Sequence, residues 1–106
     1  MKGDHIGEFE ELVLLAVAAV PEAYGVSIKA RLDVELTRDV TIGAVYAALD
    51  RLEDKSLVRS AEVAGPAERG GRRRRAFVIT PEGRRIMRDL RSVRERLWRA
   101  VPSRNR

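Results

Sequence analysis

The chain has 106 residues, of which 44% are hydrophobic and 35% charged, and its 21 Lys and Arg against 16 Asp and Glu give a formal net charge of +5. This length accommodates one small domain with a thin hydrophobic core, which oligomerisation can extend. The sequence has no cysteine and one histidine. Disulfides, thiolate catalysis and thiolate metal sites are therefore excluded, and we expect neither a transition-metal site nor any other cofactor.

The first predicted element is a helix from Glu8 to Val20, which contains no Gly or Pro and ends before Pro21. Its apolar residues surround the helix, and a helix that is apolar on all sides is buried on all sides. In so small a domain this predicts a partner chain against one side. Acidic residues precede the apolar run, which argues against a signal peptide, and the run is far shorter than the ~20 residues of a membrane span. We therefore expect a cytoplasmic protein.

Two more helices are predicted before the middle of the chain. A short second helix runs from Val26 to Leu36. Thr41 is a good N-cap for a third helix, which should end around Lys55 and Ser56. The apolar residues of this third helix recur at helical spacing and are Ile42, Val45, Tyr46, Leu49 and Leu52.

The pattern then changes to a hairpin followed by a last helix. Two short strands, 57–63 and 76–80, flank a basic loop rich in Gly and Arg. Thr80 and Pro81 carry the signature of a helix start. The apolar residues of the last helix recur at nearly heptad spacing and need a surface to cover them; they are Ile86, Leu90, Val93, Leu97 and Val101.

This order of elements predicts a mainly α fold with a small β-hairpin, namely a winged helix-turn-helix with an added C-terminal helix. We assign residues 1–80 to the winged helix-turn-helix DNA-binding domain and residues 81–106 to a C-terminal dimerisation helix and tail. In such a fold the third helix can lie in a major groove about 12 Å wide. The β-hairpin, called the wing, then reaches the flanking DNA backbone with its loop.

The charge is divided unevenly along the chain. Residues 1–54 carry 5 basic and 11 acidic side chains, net −6, whereas residues 55–106 carry 16 and 5, net +11. Such asymmetry favours a polyanionic partner. The alternative explanation for the basic residues is codon bias, because 18 of the 21 are Arg. Four consecutive arginines, Arg72–Arg75, lie in the hairpin loop. Successive side chains of a strand point to opposite faces, so the four arginines do not all point the same way. We expect about two of them to touch DNA. The alternative is that the loop is only solvated.

The third helix supplies the remaining candidate contacts. Its outer face begins with small residues, Gly43, Ala44 and Ala47, which allow close approach to DNA or are simply good helix formers. Tyr46 contacts a base or phosphate, or else caps the core with its ring. Arg51 binds a phosphate, or else pairs with the acids that follow it on the helix, Glu53 and Asp54.

Four segments in this order resemble the PadR-like transcriptional regulators, in the short subgroup with one terminal helix. They are Gly7-Glu8-Phe9-Glu10-Glu11-Leu12-Val13-Leu14-Leu15-Ala16, Ala23-Tyr24-Gly25-Val26-Ser27-Ile28, Thr41-Ile42-Gly43-Ala44-Val45-Tyr46-Ala47-Ala48-Leu49-Asp50-Arg51-Leu52-Glu53 and Gly71-Arg72-Arg73-Arg74-Arg75-Ala76-Phe77-Val78-Ile79-Thr80-Pro81-Glu82-Gly83. The resemblance implies a homodimeric winged-helix repressor that leaves its operator when a small aromatic or drug-like effector binds.

The resemblance also assigns residues. Tyr46 matches the family's DNA-contacting tyrosine, and Gly71, Arg72 and Arg73 match its wing. Trp98 lies where some short members place an aromatic residue facing a pocket at the dimer centre; the alternative is a packing anchor. The first and last helices are implied to form the dimer interface, which gives the candidates Phe9, Leu12, Leu15, Ile86, Leu90, Val93, Leu97 and Trp98.

Two residues depart from the family pattern. Ser56 stands where the family usually has Gly, which predicts a less tight turn after the third helix. Ala76 stands where an aromatic residue is common, which predicts thinner packing beneath the wing.

We therefore hypothesise a homodimeric repressor of a palindromic double-stranded DNA operator, not an enzyme. The base contacts would come from Thr41, Gly43, Ala44, Tyr46 and Ala47, and the backbone contacts from Lys29, Arg51, Gly71, Arg72, Arg73 and Arg74. Two other functions stay open: a nonspecific nucleoid-type DNA-binding protein, and a protein-interaction module that uses the terminal helix.

Overall fold

A computed structural model describes residues 5–65 and 73–103. Its elements in chain order are α1 (Glu8–Ala19), α2 (Gly25–Leu36), α3 (Ile42–Asp54), β1 (Val58–Val63), β2 (Arg74–Ile79) and α4 (Pro81–Ala100). This is the predicted winged helix-turn-helix with a C-terminal helix. The second strand begins two residues earlier than predicted, because the ladder with β1 continues to the pair Val63 and Arg74.

Hydroxyl side chains begin the third and fourth helices, as predicted. Thr41 Oγ1 accepts the Ala44 N–H at 3.0 Å, and Thr80 Oγ1 accepts the Gly83 N–H at 3.0 Å. Each bond satisfies an N–H that has no partner inside the helix. Thr80 Oγ1 also donates to the Ser56 carbonyl oxygen at 2.7 Å, which ties the start of α4 to the end of α3.

The core lies where α1, α2 and α3 meet the hairpin. The largest fully buried side chains, each under 2% exposed, are Leu14, Ile28, Leu49, Leu52, Leu57, Val13, Val45 and Val58. Within one chain α1 is not covered all round, because Leu15 remains 43% exposed. The side of α1 that carries Leu15 is therefore the part that a partner chain would have to cover.

A third, very short segment pairs with one of the two strands of the wing. β1 and β2 pair antiparallel, from Val58 opposite Ile79 to Val63 opposite Arg74. On the other side of β2, Tyr24 forms an antiparallel bridge with Ala76, and the Phe77 N–H donates to the Ala23 carbonyl oxygen at 2.8 Å. The backbone just before α2 is therefore fastened to the wing strand.

Ser56 makes the turn between α3 and β1 in a left-handed conformation, with φ 64°. The Ser56 N–H donates to the Glu53 carbonyl oxygen and the Leu57 N–H to the Leu52 carbonyl oxygen, both at 2.9 Å. These two bonds form a Schellman motif, which usually places Gly at this position. The looser turn that the departure from Gly predicted is therefore absent: both bonds form with Ser in place.

The start of α4 lies very close to this turn. A Cβ added to Gly83 would come within 2.2 Å of the Leu57 carbonyl oxygen, so only glycine fits here. Ile86, one helical turn later, is buried in the core at 3% exposure, and Met87 and Leu90 pack partly against it. Beyond Leu90 the helix is exposed along its whole length. In the described part of the chain, no helix is both long and apolar enough to cross a membrane.

Candidate nucleic-acid interface

The outer face of α3 is exposed and built from small side chains. Thr41, Gly43, Ala44 and Ala47 are all exposed, and a Cβ added to Gly43 would meet nothing within 4 Å. The opposite face of the helix is buried, through Val45, Ala48, Leu49 and Leu52. The core therefore holds the helix on its inner side. Its outer side has no large protruding side chains at these positions, so another molecule can approach the helix closely.

Tyr46 lies at the edge of this surface and packs against the start of α2. A Cβ added to Gly25 would come within 2.3 Å of Tyr46 Cζ and Oη, so the outer end of the ring rests on the backbone there. The residue is partly buried against the core. This position fits the interpretation that the ring caps the core; its contact with DNA stays a prediction.

Lys29 forms an ion pair with a residue of its own helix, α2. Its Nζ lies 2.6 Å from Asp33 Oδ2, and Asp33 Oδ1 accepts the Val40 N–H at 2.8 Å. The hydrogen bond to Asp33 raises the pKa of Lys29, and the bonds from Lys29 and Val40 lower the pKa of Asp33. A phosphate group at Lys29 would therefore have to share the ammonium group with Asp33.

Arg51 pairs with a residue that the sequence did not suggest. Its Nε lies 2.6 Å from Glu10 Oε2 on α1, so the alternative to a phosphate contact, that Arg51 pairs with Glu53 or Asp54, is wrong. Glu10 is buried, at 7% exposure, and its Oε1 also binds Lys55 Nζ at 2.8 Å. One carboxylate thus joins the start of α1 to the end of α3.

The charge state of Glu10 follows from these partners. Burial raises the pKa of the Glu10 carboxyl, but hydrogen bonds from Lys55, Arg51 and the Gly7 N–H outweigh that effect and hold it below its ordinary value of 4.5. Glu10 is therefore ionised at neutral pH and compensates two cations, Arg51 on α3 and Lys55 directly after it. A phosphate group at Arg51 must compete with it.

The wing arginines separate into different environments. Gly71 and Arg72 lie outside the described residues. Arg73 is exposed, with its Nε 3.1 Å from Glu62 Oε1 across the hairpin. The Arg74 guanidinium lies over the ring of Tyr24, 3.8 Å from its centroid, and no described group accepts a hydrogen bond from its buried Nε.

Arg75 contacts α3 instead. Its guanidinium lies 2.8 Å from Glu53 Oε1 and 3.5 Å from Asp50 Oδ1, and 5.0 Å from the centroid of the Phe77 ring. Neighbouring arginines thus contact different parts of the chain, as the strand alternation predicts. Ala76, which follows them, is half-buried beside Tyr24, and the Arg74 side chain covers that ring.

The candidate dimer residues fall into three groups. Ile86 is buried in the core of its own chain at 3% exposure, so its placement in an interface is corrected: one chain covers it already. Phe9, Leu12 and Leu90 are partly buried. The remaining candidates are exposed, and they are Leu15, Val93, Leu97 and Trp98.

Two shallow cavities lie beside these exposed apolar residues. One, of about 180 Å³, is lined by Arg94, Leu97, Trp98 and Val101 at the end of α4. The other, of about 210 Å³, lies between α1 and α2 and includes Leu12, Leu15 and Leu36 in its lining. Trp98 is 74% exposed, so one face of its ring is available to a second chain or to a ligand. Among the described residues, no group of three or more His, Cys, Asp or Glu could hold a metal ion.

Comparisons with known proteins identify relatives of this arrangement. The model of a family described as the transcriptional regulator PadR-like family matches residues 14–89. RosR of H. salinarum superposes with a TM-score of 0.75 at 24% identity, over 94% of this chain and 84% of that chain. A PadR-like transcription factor from Bacteroides fragilis gives 0.74 at 24% identity, over 88% and 85%.

A third solved structure contains DNA. PadR of Bacillus subtilis in complex with operator DNA superposes with a TM-score of 0.66 at 15% identity, over 78% of this chain and 46% of that chain. At these identities, the three superpositions establish the fold. No curated protein matches the chain.

Proposed function

Since the chain belongs to the PadR-like family of transcriptional regulators, we propose that it is a homodimeric repressor of a palindromic operator, released by a small aromatic or drug-like effector. Membership in this family of transcription factors makes the chain a DNA-binding transcriptional regulator and not an enzyme. The observation that carries the proposal is the exposed, small-residue face of α3, which the core holds from behind and to which the hairpin is joined through Arg75.

In this proposal α3 enters the major groove. Base contacts come from Thr41, Gly43, Ala44, Tyr46 and Ala47. The absence of bulky side chains at 43, 44 and 47 lets the helix approach the base edges closely, and Arg73 and Arg74 meet the flanking phosphates together with Gly71 and Arg72. Lys29 and Arg51 add phosphate contacts in competition with Asp33 and Glu10. A two-fold axis places two such helices about 34–36 Å apart, one turn of DNA.

The second copy covers the exposed apolar residues of α1 and α4. Val93 and Leu97 are 42% and 64% exposed although they lie on an apolar stripe, and Leu15 on α1 is exposed next to a groove. Burial of such side chains is the main favourable contribution to association. We assign residues 81–106 to this dimerisation role and residues 1–80 to DNA binding.

The first test separates an operator-binding repressor from the other two functions. Duplexes that the wild-type protein selects from a random pool should bind at least ~10³-fold more tightly than unselected duplexes. Equal affinity for both would favour a nucleoid-type binder. Absence of binding at low salt would favour a protein-interaction module.

The salt dependence of binding tests the wing. When Arg72 and Arg73 are both replaced by alanine, the slope of log affinity against log salt should flatten by about 0.9 for each phosphate that the wing no longer neutralises. Arg88 and Arg91 are exposed on α4, and their double replacement by alanine removes the same charge elsewhere. A slope that changes equally in both variants, or in neither, would remove the wing from the mechanism.

The effector part of the proposal depends on Trp98. A flat aromatic compound stacked on this exposed ring should quench its fluorescence, because aromatic rings associate by stacking, and Trp98 is the only tryptophan. The measurement is a titration with planar aromatic compounds, followed by release of the selected duplex at the same concentrations. Quenching without DNA release, or no quenching across a broad set, would leave Trp98 as a packing anchor.

A further inference from the structure

One network of polar side chains joins the wing to the recognition helix. The Arg75 guanidinium on β2 donates to Glu53 Oε1 on α3 at 2.8 Å and to Ser60 Oγ on β1 at 3.3 Å. Ser60 in turn donates to Glu53 through both its hydroxyl, at 2.9 Å to Oε2, and its backbone N–H, at 3.3 Å. A single carboxylate of α3 therefore holds both strands of the wing.

The network is fixed by more than one interaction. Asp50, one turn earlier on α3, lies 3.5 Å from Arg75, and the Phe77 ring beneath the guanidinium belongs to the buried core. Glu53 and Arg75 are 34% and 39% exposed, so water screens them less than it screens an exposed pair. A planar guanidinium that meets a carboxylate, a hydroxyl and a ring has one orientation that satisfies all of them.

These contacts lie where two DNA-binding elements must be held in register. Contacts in the groove and contacts to the flanking backbone form together only if the distance between α3 and the wing is right before binding, because ordering them on the DNA costs free energy. Asp50 and Glu53 also carry negative charge on a helix that approaches phosphates. Arg75 compensates that charge within the chain.

From this geometry we infer that Glu53 and Arg75 are positioning residues for operator recognition, which hold the wing against α3 and do not contact DNA. The inference rests on the operator binding proposed above. It gives Arg75 a different role from Arg73 and Arg74, although the three are adjacent in the chain.

The replacement Glu53→Gln distinguishes positioning from simple electrostatics. Removing a negative charge close to DNA should strengthen binding to every duplex. If Glu53 positions the wing, the variant instead binds the selected duplex about fivefold more weakly and binds unselected duplexes no more weakly than wild type, as expected for the coupling of contacting residues. Asp54→Asn is the matched control, because Asp54 is the exposed residue next to Glu53 and takes no part in this network; it should strengthen binding to both duplexes slightly.

Arg75→Gln tests whether Arg75 contacts a phosphate. A positioning residue leaves the salt slope unchanged while the preference for the selected duplex falls, whereas removal of a phosphate-binding group lowers the slope by about 0.9. The double variant Glu53→Gln with Arg75→Gln should lose no more preference than either single variant, since both break the same link. Ser60→Ala removes one partner of Glu53 without a charge change and should lower the preference about twofold to threefold, which keeps the test available if thermal melting shows that Glu53→Gln does not fold.

The outcomes separate the inference from the function it rests on. If wild type shows no preference for selected duplexes, the operator proposal fails. If wild type shows the preference and Glu53→Gln behaves like Asp54→Asn, or if Arg75→Gln lowers the salt slope, the positioning role is overturned.

Discussion

Ser56 occupies a backbone conformation that favours glycine. Its φ of 64° brings the Cβ of an L-residue close to the following carbonyl, whereas glycine adopts this region freely. The Schellman bonds of the turn form nevertheless, so the structure tolerates the strain of a serine at this position.

Replacing Ser56 by glycine should relieve that strain. We expect Ser56→Gly to raise the free energy of unfolding by about 0.5–1 kcal/mol, since the gain in the folded state exceeds the added entropy of glycine in the unfolded chain. Urea denaturation at pH 7 measures the change. Ser56→Ala keeps the Cβ and is the control. Equal stability of the glycine and alanine variants would show that the conformation at 56 carries no strain.

At the scale of residues, the sequence predicts what is decided locally. Thr41 and Thr80 are recognisable as N-caps because the residue that each one binds lies three positions away. The partner of Arg51 is not recognisable: Glu10 lies 41 residues earlier, and only the packing of α1 against α3 brings the two together. For the same reason the sequence predicts that the arginines at 73–75 differ in direction but not that Arg75 meets Glu53.

At the scale of elements, Glu10 is the polar link between α1 and α3. Its carboxylate binds Arg51 and Lys55 and also accepts the Gly7 N–H at 3.3 Å at the start of α1. A buried carboxylate with three donors is stable as an ion, while removal of its charge leaves two cations with a weaker acceptor. The link therefore depends on the ionisation of one group.

This link should make stability depend on pH. The folded-state pKa of Glu10 lies below its ordinary value of 4.5, so its contribution is fully present above that value and is lost as the pH falls through the folded-state pKa. We expect Glu10→Gln to lower the free energy of unfolding at pH 7 by about 1–3 kcal/mol. The difference from wild type should shrink on acidification. Urea denaturation between pH 7 and pH 3 measures both effects.

Glu8→Gln is the matched control for Glu10, because Glu8 is exposed on the same turn of α1. It should change the free energy of unfolding by no more than about 0.5 kcal/mol. A difference between wild type and Glu10→Gln that stays constant from pH 7 to pH 3 would show that the carboxylate is not the origin of the loss.

The existence of the helices and of the hairpin is predictable from capping residues, apolar spacing and the change of period after Ser56, although β2 begins two residues earlier than predicted. The bridge between Tyr24 and Ala76 is not, because a pairing of one or two residues leaves no alternating pattern. This edge matters for the wing: it fastens β2 to the segment before α2, and Tyr24 supports the Arg74 guanidinium from there.

At the scale of the whole molecule, the division of charge acquires a spatial meaning. The acidic first half contains α1, α2 and α3, and the basic second half contains the wing and α4. Some of the basic excess is compensated within the chain, through pairs such as Arg94 with Glu11 and Arg75 with Glu53. The net +11 of residues 55–106 therefore overstates the positive charge that is left unpaired in the folded chain.

Dimerisation should depend on the outer half of α4. Ile86 and Gly83 belong to the core, so a cut before them would unfold the domain, whereas residues 91–103 are exposed in the single chain. We expect removal of residues 91–106 to give a folded monomer in sedimentation, since the exposed apolar residues of α4 are then absent. Leu97→Glu should weaken the dimer in the same way, and Arg99→Glu, at an exposed polar position two residues on, should not. A truncated chain that still sediments as a dimer would contradict this role of α4.

The sequence predicts that α4 needs a covering surface but not which of its residues need one. The heptad pattern treats Ile86, Leu90, Val93 and Leu97 alike, whereas their exposure rises along the helix from 3% at Ile86 to 64% at Leu97. The difference arises because the core of the domain contacts only the first half of α4, up to Leu90. How far the core extends along a helix depends on tertiary packing, which the spacing of apolar residues does not reveal.

The anchoring of α4 makes this helix a lever. Its base is fixed where Gly83 meets the Leu57 carbonyl and Thr80 binds Ser56, at the turn that directly follows α3. Because Ile86 and Leu90 pack against the core, the free arm is the segment 91–100, which is about 15 Å long, and a tilt of about 5° displaces its far end, near Trp98, by roughly 1.3 Å. Conversely, a displacement of about 1 Å near Trp98 requires only a few degrees of tilt where this segment leaves the core, with no element unfolding on the way.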